Sequence, residues 1–159
     1  MTPREFLTEV VRPNVAEFNV HSDSLRRAHN AVAAVDALAA HIYVWCTVNA
    51  PAELTIQDDS QYRGMLAVRD SGGNFSLLRD IAKAQKHVHL AKGNPLVKRA
   101  EQVTARPMGA GELRAGGRVG AAPQVVVDMN PKPGDFFYVA NVVDGALAFL
   151  EAEMHRLGI

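Results

Sequence analysis

Asp80 and His87 stand seven positions apart in a stretch whose apolar residues, Leu77, Ile81, Ala84 and Val88, recur at helical steps. At about 100° per residue, seven positions return to within about 20° of the starting direction, so carboxylate and imidazole share one flank of a helix. Ala84 adds no bulk between them, and Lys83 lies further round. Such a set suits anion binding or acid–base work, because an imidazole of pKa ~6.5 both takes up and gives up protons near neutrality. With the neighbouring guanidinium, the candidate catalytic residues are Arg79, Asp80 and His87. The competing reading gives Asp80 and His87 a structural task at a helix boundary, beside His41 or Tyr43 of another helix.

His41, with Leu38 and Trp45 on its side of a second helix, is the next histidine such a site could use. A metal needs three or four converging ligands, and His87 and His89 point about 200° apart on a helix, so no metal is expected. Cys46 is the single cysteine and sits in an apolar stretch, which excludes an internal disulfide and a paired-thiol zinc site and predicts a buried thiol. The run Gly109 to Gly120 lacks the strand, the helix and the Lys-Ser/Thr ending of a phosphate loop. It reads as a linker whose Arg114 and Arg118, with Arg106, could close on an anionic partner; with His41 and Lys83 these complete the candidate ligand-binding residues. No cofactor is expected.

The elements that would position these residues follow from caps, breakers and periodicity. Thr2-Pro3-Arg4-Glu5 is a capping box that starts a helix, with a break or kink near Arg12 because Pro13 follows. Phe18 and Val20 belong to a second short piece. Leu25, Ala28, Val32, Val35, Ala39, Ile42 and Cys46 mark a central helix from Ser22 or Ser24 to about Val48, with Ala33, Ala37 and Ala40 admitting a neighbour on the other side. A Thr55 or Asp58 cap starts the next helix, which stops at Ser71-Gly72-Gly73. Asn74 caps the helix of the candidate site, running to about Ala91. Residues 104 to 120 read as a Gly-rich loop or mobile hairpin. The segments 124–129 and 136–139 predict a two-stranded hairpin, and Asn141 and Asp144 cap a last helix. The expectation is one domain, 1–159, mainly α: a bundle of about five helices with a small β-hairpin before the C-terminal helix.

The composition, 48% hydrophobic and 21% charged, is that of a folded domain. No leader or membrane span is read from the sequence, so a cytoplasmic location is expected. The net charge of zero hides a pattern. Residues 1–71 carry 6 Lys/Arg against 9 Asp/Glu, residues 72–120 carry 9 against 3, and residues 121–159 carry 2 against 5. A basic middle could meet RNA or another anionic partner, or neutralise the acidic thirds of its own fold or of a second subunit in a homo-oligomer.

The run Leu78-Arg79-Asp80-Ile81-Ala82-Lys83-Ala84-Gln85-Lys86-His87, after an Ala-rich helix with His41 and Trp45, resembles segments of small bacterial proteins and the HEPN superfamily of helical bundles. The resemblance covers residues 22–92 and the last helix. It implies four or five antiparallel helices and, for many members, ribonuclease activity or RNA binding. Active members carry an Arg and a His with four to six residues between them; Arg79 and His87 have seven. The sequence therefore points first to a module binding an anionic partner such as RNA. The alternatives are a metal-independent ribonuclease using Arg79, Asp80 and His87, and a structural or oligomeric protein without a ligand.

Overall fold

A computed structural model describes residues 1–51, 54, 58–87, 90, 95–107, 123–129 and 135–159. The capping box forms: the Thr2 hydroxyl accepts from the Glu5 amide at 3.2 Å and the Glu5 carboxylate accepts from the Thr2 amide at 2.8 Å. The helix it starts does not break at Pro13. α1 (Pro3–Phe6) passes through a π turn over Leu7–Val11 and continues as α2 (Arg12–Val20). Proline has no N–H to offer and its ring crowds the carbonyl four residues back. In the π turn the Arg12 N–H reaches back to the Leu7 carbonyl, so the ladder widens where Pro13 would otherwise collide with it.

Ser24 caps α3 (Leu25–Asn49), accepting from the Arg27 amide at 3.4 Å. This helix touches α1, α2, the C-terminal helix and both helices that follow it in the chain, and buries Ala28, Val32, Val35, Leu38, Ala39, Ile42 and Cys46. Its mean hydropathy reaches 1.6 over 18 residues, which meets the length and composition of a membrane-crossing helix; half of that window is covered by the rest of the protein. Asp58 caps α4 (Asp59–Arg69), its carboxylate accepting from the Gln61 amide at 2.8 Å.

Asp70 then does what was expected of Asn74. Its carboxylate accepts from the amides of Gly72 at 3.0 Å and Phe75 at 2.7 Å, Gly73 turns the chain at φ +69°, and Asn74 is the first residue of α5 (Asn74–His87). The predicted continuation to Ala91 falls outside the described residues. α5 packs on both α3 and α6 (Val139–Arg156), which also touch each other. α6 begins directly after a strand, with Tyr138 in the cap position, so Asn141 and Asp144 lie inside it; the Asp144 carboxylate accepts from Asn19 at 3.0 Å. Five helical units, counting α1, the π turn and α2 as one, thus make the described fold mainly α.

The predicted hairpin is part of a three-stranded antiparallel sheet. β1 (Val103–Arg106) pairs with β2 (Gln124–Asp128), which pairs with β3 (Phe136–Tyr138). β1 takes the beginning of the segment expected as a loop; residues 108–122 lie outside the description. Val125 and Val127 face the helical core, while Val126 joins Phe136 and Tyr138 on the other face, so three successive valines are buried. The Val125 amide donates to the Ser22 carbonyl at 2.8 Å, tying the sheet to the turn before α3.

Gly145 sets the approach of α5 to α6. A Cβ there would stand 2.5 Å from Asn74 Nδ2 and 2.7 Å from Asn74 Cγ. Gly→Ala in a helix interior ordinarily stabilises by about 1 kcal/mol. Here Gly145→Ala is expected to destabilise by about 1–2 kcal/mol in chemical denaturation, because the crowding outweighs the propensity gain, and Asn74→Ala should recover most of that loss.

Candidate functional site

The helix of the candidate site is amphipathic in fact as in pattern. Phe75, Leu77, Leu78, Ile81, Ala82 and Ala84 are buried, and Lys83, Lys86 and His87 are exposed. Asp80 sits at the border, where its carboxylate accepts from the Leu96 amide at 2.8 Å. That bond anchors the segment 95–99 alongside α5. Gln102, in a 3₁₀ turn over Ala100–Gln102, completes the anchoring: its side-chain oxygen accepts from the amides of Lys98 at 2.7 Å and Arg99 at 3.0 Å, and its nitrogen donates to the Asp128 carbonyl at 2.6 Å. Asp80 and Gln102 together hold the backbone of residues 96–99, and the Lys98 carbonyl accepts from the Leu90 amide, just beyond the end of α5, at 2.7 Å.

Arg79 belongs to a different environment. It is 8% exposed and faces the α3 side, where Asp36 of α3, itself 6% exposed, accepts from Arg63 of α4 at 2.9 Å. Arg63 also pairs with Asp59 one turn before it. Burial lowers the pKa of the Arg79 guanidinium and the Asp36 carboxylate opposes that shift. Arg79 Nε, Arg63 Nε and Asp59 Oδ1 are buried without a hydrogen-bond partner. Arg79 and His87, eight positions apart, point about 80° away from each other on α5, one inward and one to solvent.

His41 is placed apart from both. Its ring stacks on Phe6 of α1, with centroids 3.9 Å apart and planes 15° from parallel. No hydrogen bond, ion pair or ring contact among the described residues joins any two of His41, Asp80 and His87. No three His, Cys, Asp or Glu side chains among them are grouped to hold a metal ion. Arg106 lies on β1, 3.3 Å from Asp128 and 4.7 Å above the Phe136 ring. Arg114 and Arg118 are outside the described residues. Cys46 is buried.

Two ionic clusters around buried carboxylates lay beyond the sequence reading: Asp36, paired with Arg63 and near the buried Arg79, and Glu153 of α6, paired with the exposed Arg69 and Arg156 at 2.8 and 2.9 Å. A usable signal existed. Asp36 falls in the row Val32, Val35, Ala39, and a carboxylate on a buried face must find a cation. Comparison with protein-family models, curated proteins and solved structures finds no match.

Burial holds His29 and His41 below the usual imidazole value of 6.5. In the unfolded chain both titrate near that value, so below it the unfolded state binds more protons and stability rises with pH. The contribution of the neutral imidazoles is complete above pH 6.5 and is lost as pH falls through their folded values. Urea midpoints measured from neutral pH downward should therefore decline, and the His29→Gln, His41→Gln double variant should decline less steeply. An equal slope in the double variant would contradict the assignment.

Proposed function

We propose that this protein is a binding module for an anionic partner, RNA, which docks on the basic surface formed by the exposed side of α5 and the segment 95–99. The observation that carries the reading is how positive charge is used. Arg12, Arg26, Arg27, Arg63, Arg69, Arg106 and Arg156 each face a carboxylate. Lys83, Lys86, Lys98 and Arg99 are exposed and have no carboxylate partner among the described residues. Unpaired cations gathered by specific backbone anchors favour a polyanion, whose phosphates release counterions when neutralised.

His87 adds an imidazole at the same end of α5, suited to hydrogen bonding or stacking with a nucleotide. The HEPN-like resemblance and a cytoplasmic setting belong to this proposal. Neither the ribonuclease alternative with Arg79, Asp80 and His87 nor the ligand-free oligomer has an observation in its favour: Arg79 points inward, and Asp80 is engaged with the chain.

In a gel-shift series with a short mixed-sequence single-stranded RNA, affinity should fall steeply between roughly 50 and 200 mM salt. The log–log slope should be about −3, from four neutralised phosphates at about −0.7 each. Reversing Lys83, Lys86, Lys98 and Arg99 to Glu should cost more than about tenfold with the circular dichroism spectrum unchanged. Absence of binding at the lowest salt, or equal affinity in the reversed variant, would refute the proposal.

A further inference from the structure

Two irregular helix segments meet where the start of the chain approaches the end of α6. The π turn at Leu7–Val11 is one. The other is the end of α6, where Gly158 adopts φ +74° and the chain turns back. The Gly158 amide donates to the His155 carbonyl at 3.1 Å and the Ile159 amide to the Met154 carbonyl at 3.0 Å, the paired bonds of a Schellman motif. This turn swings Ile159 back over Met154. Arg12 bridges the two segments, holding Glu151 of α6 through Nε at 3.2 Å and through its terminal nitrogen at 3.1 Å.

Between them lies an open-mouthed cavity of about 300 Å³, lined by Arg4, Leu7, Thr8, Arg12, Glu151, Met154, His155 and Ile159. Its floor is apolar: Leu7 and Met154 are buried, and Ile159 closes one side. Its rim is polar. Arg4, Thr8 and Arg12 follow at steps of four, and the extra residue of the π turn offsets the sideways drift such a row has in a plain α-helix, keeping all three on the cavity side. The charges of Arg12 and Glu151 cancel each other. Arg4 has no carboxylate partner among the described residues, and the last carbonyls of α6, which would repel an anion, are taken up by the Schellman bonds.

From this arrangement we infer a second binding site, separate from the basic surface, that takes a small monocarboxylate with an apolar body. The carboxylate pairs with the Arg4 guanidinium, a planar fork matched to two carboxylate oxygens, and accepts from the Thr8 hydroxyl. The body lies on Leu7, Met154 and Ile159. The volume stands at the lower end of the ~300–1,000 Å³ range of small-ligand sites and holds about ten non-hydrogen atoms at water's share of ~30 Å³ each, the size of octanoate.

The test is a titration of the full chain with sodium octanoate, and with octanol as the uncharged match, followed by two-dimensional amide NMR. Octanoate should give saturable shifts concentrated at Leu7, Thr8, Met154 and Ile159, with octanol at least about tenfold weaker. Arg4→Gln, a change at an exposed position, should weaken octanoate about tenfold and leave octanol unchanged. Thr8→Trp should fill the mouth and abolish both. Three results would each overturn the inference: no saturable shifts with octanoate, octanol binding as tightly as octanoate, or octanoate binding unaltered in both variants.

Discussion

Asp36 lies on the buried face of α3, between Val32 and Ala39, and a carboxylate in that position must have a cation brought to it. Arg63 from α4 meets it at 2.9 Å, and Arg79 from α5 is buried on the same side. The ion pair therefore constrains how α4 can rotate and slide on α3, which apolar packing alone leaves looser, and the buried Arg79 of α5 lies within the field of the same carboxylate. Glu153 extends the constraint to α6. Arg63 and Arg69 are six positions apart, about 120° around α4. One reaches Asp36 on α3 and the other Glu153 on α6. The short helix α4 is thus fastened on two sides by charge, around an apolar contact made by Tyr62 and Leu66.

The consequence for function runs through what is left over. Arginines that hold helices together are neutralised where they stand, so they contribute little field outside the molecule. Among the described residues, unpaired positive charge is left on the outer side of α5, on the segment 95–99 and, singly, at Arg4. Its placement on the segment 95–99 depends on Asp80 and Gln102, whose side chains bind the backbone amides there. Asp80 acts as an anchor for the basic surface; the residues with free charge are its neighbours.

The helices were legible because their signals are local. Ser24, Asp58 and the Thr2–Glu5 box are caps within three residues of the amides they satisfy, and the apolar rows of α3, α5 and α6 repeat at steps set by the helix itself. The errors came where a distant partner decides. Asn74 reads as a cap, yet Asp70 satisfies the Phe75 amide and Asn74 lies over Gly145, a residue 71 positions away in the chain. Pro13 reads as a break or kink near Arg12, and the irregularity found there is a π turn over Leu7–Val11 through which the helix continues. β1 was hidden because Val103-Thr104-Ala105-Arg106 gains its pairing only from Val125–Val127 across the glycine-rich stretch. Asp80 and His87 both lie within α5, seven helical steps apart. What spacing cannot give is a side chain's partner, and the Leu96 amide had already engaged the carboxylate.

The most direct test of this account is the stability cost of removing the Asp36 charge, measured by urea denaturation. Asp36→Ala leaves Arg63 and Arg79 buried with too little counter-charge and should cost about 3–5 kcal/mol. The triple change Asp36→Leu, Arg63→Leu, Arg79→Met, which removes all three charges, should regain most of that loss. A cost for Asp36→Ala within about 0.5 kcal/mol, typical of a surface position, would contradict the claim that this buried carboxylate and its ion pair orient α4 on the central helix.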